Sequence, residues 1–291
     1  MSILKVIIYF FQSIIIYLFF ILIKLMGLTL SRKLFSSLFI KIGPLIKSEQ
    51  TINNNLEKFL GFFNESVKKE IKTKMWSNYG KTFVEYLYLK KFKSTNHHIE
   101  IEGERILNKI IQKNRPVIFI SGHFANFELM SMELTKRNIN LATIYRPLNN
   151  FFLNPFMEYL RKKYVCQDQI KKGLMGVKDS IKYIKNNFSI ALMVDQRVSE
   201  GKKLPFFEHM ALTTTLPAQI ALKFNLDIVP IYITRKKDDN FKMEIYEPIK
   251  VLNNNDSESN KLNISIKLNK ILEEMISRDP GQWIWTHNRW K

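Results

Sequence analysis

The sequence predicts an α/β protein in which a mostly parallel central sheet is flanked by helices and preceded by an N-terminal membrane helix. Three observations carry that expectation. An almost unbroken apolar stretch, Val6 to Ile23, opens the chain. Beyond about residue 115, short apolar runs alternate with helical segments. Strands that alternate with helices favour a sheet that is at least partly parallel, with its working residues where strands end.

At 291 residues and 46% hydrophobic content, the chain can bury one large core and carry an appendage. Within Val6 to Ile23 only Gln12 and Ser13 are strongly polar, which approaches the ~20 apolar residues that cross a bilayer core. A cleavable signal competes with this reading, but its apolar region runs only ~7–15 residues before a small-residue cleavage site. The following LIKLMGLTLSRK offers no such site. Lys24, Arg32, Lys33, Lys41 and Lys47 follow the span whereas Lys5 precedes it, a bias that leaves the body in the cytoplasm. The expected organisation is an anchor over residues 1–30, a helical segment over 31–98 and an α/β domain over 99–291.

Gly43-Pro44 reads as a break in the chain, and Leu56 to Phe92 as amphipathic helices with Phe59, Phe62, Phe63 and Val67 at helical spacing. Strands are expected at VIFIS (Val117 to Ser121), LATIY (Leu141 to Tyr145), SIALMVD (Ser189 to Asp195), DIVPIYITR (Asp227 to Arg235) and KMEIYEPI. Helices are expected at FELMSMEL, FFLNPFMEYLRKKY, Pro217 to Phe224 and Lys261 to Ser277, with NNNDSESN (Asn253 to Asn260) as a loop. The tail carries Trp283, Trp285 and Trp290 with His287 and Arg289. It is either a lipid-facing segment, where Trp sits favourably, or a strand packed on the sheet.

Lys and Arg number 45 against 26 Asp and Glu, a net charge of +19. That excess attracts nucleic acid, anionic lipid or an acidic partner protein, although a composition rich in Lys, Asn and Ile throughout would produce it too. No signature of a nucleic-acid reader accompanies it. The lone Cys166 excludes an internal disulfide and reads as a core or surface thiol. His97, His98 and His209 form no metal-ligand spacing, and a metal site built on His123, Glu128 and Asp195 would have too few ligands. No G-x-S-x-G elbow supplies a serine nucleophile for a hydrolase.

The most informative segment is VIFISGHFANFELMSME, Val117 to Glu133, where an apolar strand ends in Ser-Gly-His and a helix soon begins. In one continuous helix His123 and Glu128 would sit about 140° apart, so they meet only if His123 lies in the turn before the helix. In that arrangement the carboxylate accepts the proton of one imidazole nitrogen and leaves the other free to take a proton from a bound hydroxyl. This is triad logic with the substrate's oxygen as nucleophile.

The His-x4-Glu pattern after a buried strand resembles the first block of the glycerolipid acyltransferase superfamily, and HFANFE is similar to the version in bacterial lipid A biosynthesis lauroyl and myristoyl acyltransferases. IYRPLNN (Ile144 to Asn150), MVDQR (Met193 to Arg197), TLPAQIAL (Thr215 to Leu222) and QWIWTHNRWK (Gln282 to Lys291) resemble further blocks in the same order, as does MWSNYGKTFVEY (Met75 to Tyr86) upstream. Phe127 and Asn288 depart from the family pattern. The resemblance implies a glycerolipid acyltransferase-like fold and an O-acyltransferase that needs no cofactor and no metal. Its donor would be an acyl carrier protein thioester, or a coenzyme A thioester in its place. The acceptor would be a hydroxyl of a lipid A precursor, in secondary acylation for lipopolysaccharide biosynthesis, at the inner (cytoplasmic) membrane, with the chain single-pass or monotopic. Another glycolipid or phospholipid acceptor, or a membrane-bound thioesterase, is the alternative. The implied catalytic pair is His123 and Glu128, and Arg146, Asp195, Gln196, Arg197 and Arg289 are the implied substrate-binding or site-architecture residues.

Overall fold

A computed structural model describes residues 2–61, 64–251 and 257–291. The opening apolar stretch folds as α1 (Ile3–Met26), long and apolar enough to cross a membrane. At Gly27, whose φ of +78° lies in the left-handed region that favours glycine, the chain turns into α2 (Leu28–Ile46). One stripe of α1, including Ser13, Phe20 and Ile23, faces the protein, whereas Ile3, Ile7, Phe11, Leu18, Ile21 and Leu25 are exposed.

The break expected at Gly43-Pro44 does not occur there. α2 runs through both residues and ends after Ile46, although Pro44 has no backbone N–H to donate to the Ile40 carbonyl one turn back, and the helix stops within two residues of it. Gly43 has a packing role instead: a β-carbon on it would collide with the indole of Trp76. Then come α3 (Glu49–Leu60), capped by the Ser48 side chain, α4 (Glu65–Glu85), capped by Asn64, and α5 (Leu89–Ser94). Phe62 and Phe63 lie outside the described residues, and Val67 is exposed rather than packed.

The sheet begins with β1 (Ile99–Glu102), followed by α6 (Glu104–Lys113), β2 (Ile118–Ser121), α7 (Glu128–Lys136), β3 (Leu141–Tyr145) and α8 (Asn154–Leu160). A π-helical turn, Arg161–Val165, leads to β4 (Asp168–Lys171), α9 (Leu174–Lys185) and β5 (Ser189–Met193). A hairpin of β6 (Lys202–Phe206) and β7 (His209–Thr213) precedes α10 (Leu216–Phe224), β8 (Ile228–Arg235), β9 (Phe241–Ile245) and α11 (Ser257–Arg278). Of the expected loop NNNDSESN, Asn253 to Asp256 lie outside the described residues, while Ser257 to Asn260 already belong to α11.

The main sheet is seven-stranded in the order β1-β9-β8-β2-β5-β3-β4. β8, β2, β5, β3 and β4 run parallel, and β9 enters antiparallel to β8. The fold is thus the expected α/β one with a mostly parallel sheet. Alternate residues of β2 serve opposite faces: Ile118 and Ile120 join the core under α3, α4, α10 and α11, whereas Phe119 joins the core under α5, α6 and α7. Crossovers from parallel strands bring β2, β5, β3 and β4 to one sheet end, and the residues just past them form the site.

The tail is neither strand nor lipid-facing surface. Trp283 is 2% and Trp285 0% exposed, packed edge to face at 4.6 Å and covered by Phe59 at 5.1 Å. A tail buried in this way closes one face of the core and reaches back to the strand ends.

Candidate active site

β2 and β5 pair with Ser121 opposite Met193. Continuing both chains by two residues from that pair, on the same face, brings His123 opposite Asp195. The ring Nδ1 of His123 lies 2.8 Å from Asp195 Oδ1, and the His123 backbone N–H donates to Oδ2 of the same carboxylate at 2.8 Å. The indole N–H of Trp283 donates to Oδ2 at 2.8 Å. Asp195 is wholly buried. Burial alone would raise its pKa, but the adjoining His123 ring and these donors outweigh it and hold the carboxyl down at about 2. An anionic Asp195 fixes the proton on Nδ1, so Nε2 carries the free lone pair.

Glu128 is not the partner of the His123 ring, contrary to the expectation from spacing. Its Oε1 accepts the guanidinium Nε of Arg161 at 2.7 Å and the phenol of Tyr86 at 2.7 Å. Among the described residues no hydrogen bond joins His123 to Glu128. The turn accommodates other contacts: the Phe127 ring packs 4.7 Å from the imidazole, and α7 begins at Glu128 itself, whose carboxylate Arg161 and Tyr86 hold. Both side chains nevertheless line one cleft of ≈520 Å³. The Glu128 carboxylate also sits in the first turn of a helix, where negative charge is favoured. Arg161 opens the π-helical turn, a distortion frequent at functional sites.

The intervening turn is held from several directions. Ala125 has φ +43°, a conformation that costs a residue with a β-carbon roughly 1–2 kcal/mol. Its N–H donates to the Gln282 carbonyl at 3.1 Å, and its own carbonyl accepts Thr82 Oγ1 at 3.0 Å and Asn78 Nδ2 at 3.3 Å. The amide of Asn126 donates to Glu85 Oε2 at 2.9 Å. Glu85 is itself wholly buried and paired with Arg235 and with Arg32 of α2. The MWSNYGKTFVEY segment therefore works as the brace of the turn that carries His123.

Of the other expected residues, Arg146 and Gln196 line the cleft. Arg146 follows β3, is exposed and makes no ion pair among the described residues. Arg197 does not line the cleft; its backbone N–H donates to His287 Nε2 at 2.9 Å. Arg289 is also away from the cleft. It is wholly buried, with its guanidinium 4.7 Å from the Phe206 ring centroid and donating to Leu212 O at 2.8 Å and Thr213 Oγ1 at 2.7 Å. Burial pulls its pKa down to about 10, which leaves it charged near neutrality. The substrate-contact expectation for Arg289 is corrected accordingly: it pins the tail to the β6–β7 hairpin.

Sequence reasoning missed Arg161, Tyr86, Lys172 and His287 as cleft or near-cleft groups. Burial lowers the His287 pKa to about 4, so this ring is neutral and its Nε2 is an acceptor. Lys172 follows β4, and burial together with the nearby Arg146 lowers its pKa. Cys166 is buried, and burial raises its thiol pKa, the opposite of what a nucleophilic thiolate needs.

A mostly parallel sheet thus carries a carboxylate-held histidine just past its strand ends, opening on a cleft that Arg146, Arg161 and Lys172 line. The chain belongs to the bacterial lipid A biosynthesis acyltransferase family, whose family model matches residues 2–291. No curated protein matches it. As a member it is an acyltransferase of lipid A biosynthesis, and the family implies a lipid A or related glycolipid acceptor.

Proposed function

We propose that the enzyme transfers a fatty acyl chain from the thioester of an acyl carrier protein to a hydroxyl of a lipid A precursor, a secondary acylation at the cytoplasmic face of the inner membrane. The observation that carries this reading is the bond from His123 Nδ1 to a wholly buried, anionic Asp195, which makes Nε2 a base at the cleft. Nε2 takes the proton of the acceptor hydroxyl as its oxygen attacks the thioester carbon. The new C–O bond forms, the C–S bond breaks, and the departing thiolate collects the proton from the imidazolium. Base assistance of this kind is worth ~10²–10⁴ in rate.

Glu128 serves the same reaction differently. It fixes the Arg161 guanidinium at 2.7 Å, so that a permanent cation faces the place where charge develops on the thioester oxygen; one such donor is worth ~10²–10³. Arg146 and Lys172, both at the cleft, suit a phosphate of the acceptor. Gln196 orients a polar group beside them.

The test is mass spectrometry of lipid A from cells carrying wild-type or His123→Ala enzyme as the sole copy. Loss of a single secondary acyl chain is expected, and an unchanged lipid A profile overturns the reading. Purified enzyme given acyl thioester without acceptor should release little free acid; rapid release would make it a thioesterase.

A further inference from the structure

Apolar side chains are exposed at one sheet end in two segments, the start of α9 and the loop after β3. The first turn of α9, which follows β4 closely, carries Leu174, 86% exposed, and Met175, 67% exposed. The loop after β3 carries Leu148 at 39% and Phe151 at 42%. β3 and β4 are paired in parallel with Tyr145 opposite Lys171, so the two loops leave the sheet side by side, on the same end as His123. α1 lies against the first of them: Ser13 Oγ is 3.1 Å from Asn150 Oδ1, Tyr17 donates to the Phe152 carbonyl at 3.1 Å, and the Phe10 and Phe152 rings meet at 5.6 Å. The free face of α1 is therefore continuous with the loops.

We propose that the Leu174–Met175 turn at the start of α9 and the Leu148–Phe151 loop dock on an anionic lipid bilayer beside α1, holding the mouth of the cleft at headgroup level. The proposal rests on the membrane association read above for α1. Exposing a leucine at 86% to water gains nothing for a folded chain, whereas burying it in the acyl boundary recovers most of its transfer free energy. The charges flanking the loops agree with a bilayer as the occupant. Arg146, Lys171 and Lys172 rim them, and each cation near an anionic surface adds attraction that salt weakens. Geometry then explains how an acceptor lipid reaches His123: it slides its headgroup into the cleft without leaving the leaflet.

The experiment uses the full chain with Cys166→Ser and a single cysteine in place of Leu174 or, as reference, Lys113, which ends α6 at the opposite end of the sheet. Each is labelled with a polarity-sensitive fluorophore and reconstituted in phosphatidylethanolamine–phosphatidylglycerol vesicles containing nitroxide lipid. Quenching at position 174 several-fold above that at 113 is expected; equal quenching overturns the proposal, including the case in which an acidic carrier protein shields position 174 instead. In a second arm, Leu174→Asp with Met175→Asp should lower turnover of vesicle-embedded acceptor about tenfold and leave turnover of detergent-dispersed acceptor unchanged. Equal turnover in vesicles overturns it. A chain that transfers no acyl group at all would defeat the functional reading alone, because the quenching result is independent of chemistry.

Discussion

Two carboxylates stand near the same imidazole, and their surroundings assign them to different tasks. Asp195 is wholly buried and spends its bonds on the His123 ring, the His123 backbone and Trp283. Glu128 is 8% exposed on its side chain and bonds Arg161 and Tyr86. The carboxylate close in sequence orients a cation, while the one far away in sequence orients the imidazole. Sequence proximity across a turn is a poor guide to contact when a neighbouring parallel strand delivers its own residue in register.

That contrast can be broken by kinetics. The largest effect is expected for His123→Ala, a loss of ~10⁴ in kcat with the far-ultraviolet circular dichroism unchanged. Asp195→Asn follows, at ~10³, because the amide no longer stabilises the imidazolium and can hold the wrong tautomer. Its pH profile of kcat/KM should shift, since the base loses its anionic neighbour. Glu128→Gln should cost ~10² while leaving the pH profile in place, because its action passes through Arg161. A pH shift in Glu128→Gln and none in Asp195→Asn would exchange the two assignments.

The smallest effect concerns stability. The folded-state pKa of Asp195 is depressed from 3.8 to about 2. Its contribution is therefore present above pH ~4 and is lost as pH falls through about 2, worth roughly 2 kcal/mol. Acid titration of unfolding should show wild type losing stability over that window, with a flatter curve for Asp195→Asn. Parallel curves would mean that the carboxylate is not held ionised by the ring.

Much of the fold is written in local patterns. The apolar runs at Val117 to Ser121, Leu141 to Tyr145 and Ser189 to Asp195 contain β2, β3 and β5, and His123 falls just past a strand end as its Gly-His turn requires. What was not legible depends on pairing between distant segments. Nothing in SIALMVD says that Asp195 will face His123; that follows from Ser121 sitting opposite Met193. Nothing in RKKY marks Arg161 as the partner of Glu128. The tail's tryptophans read equally as a lipid-facing segment or as a strand packed on the sheet, and Trp283 and Trp285 are core residues outside any strand whose N–H groups reach Asp195 and the Pro280 carbonyl. Pro44 misled for the opposite reason: a helix tolerates proline near its end when a tight contact, here Gly43 on Trp76, holds it in place.

The Glu85 cluster bears on how the enzyme can be handled. Its carboxylate is shared among Arg32 of α2, Arg235 of β8 and Asn126 of the turn after His123. Trimming the chain before α3 to obtain a water-soluble fragment would strip away one cation, open the cluster to solvent and uncover the α4 surface against which α2 lies. The amino-terminal hairpin is thus no detachable tether, and shortened forms should emerge misfolded or aggregated even where their catalytic side chains are all present.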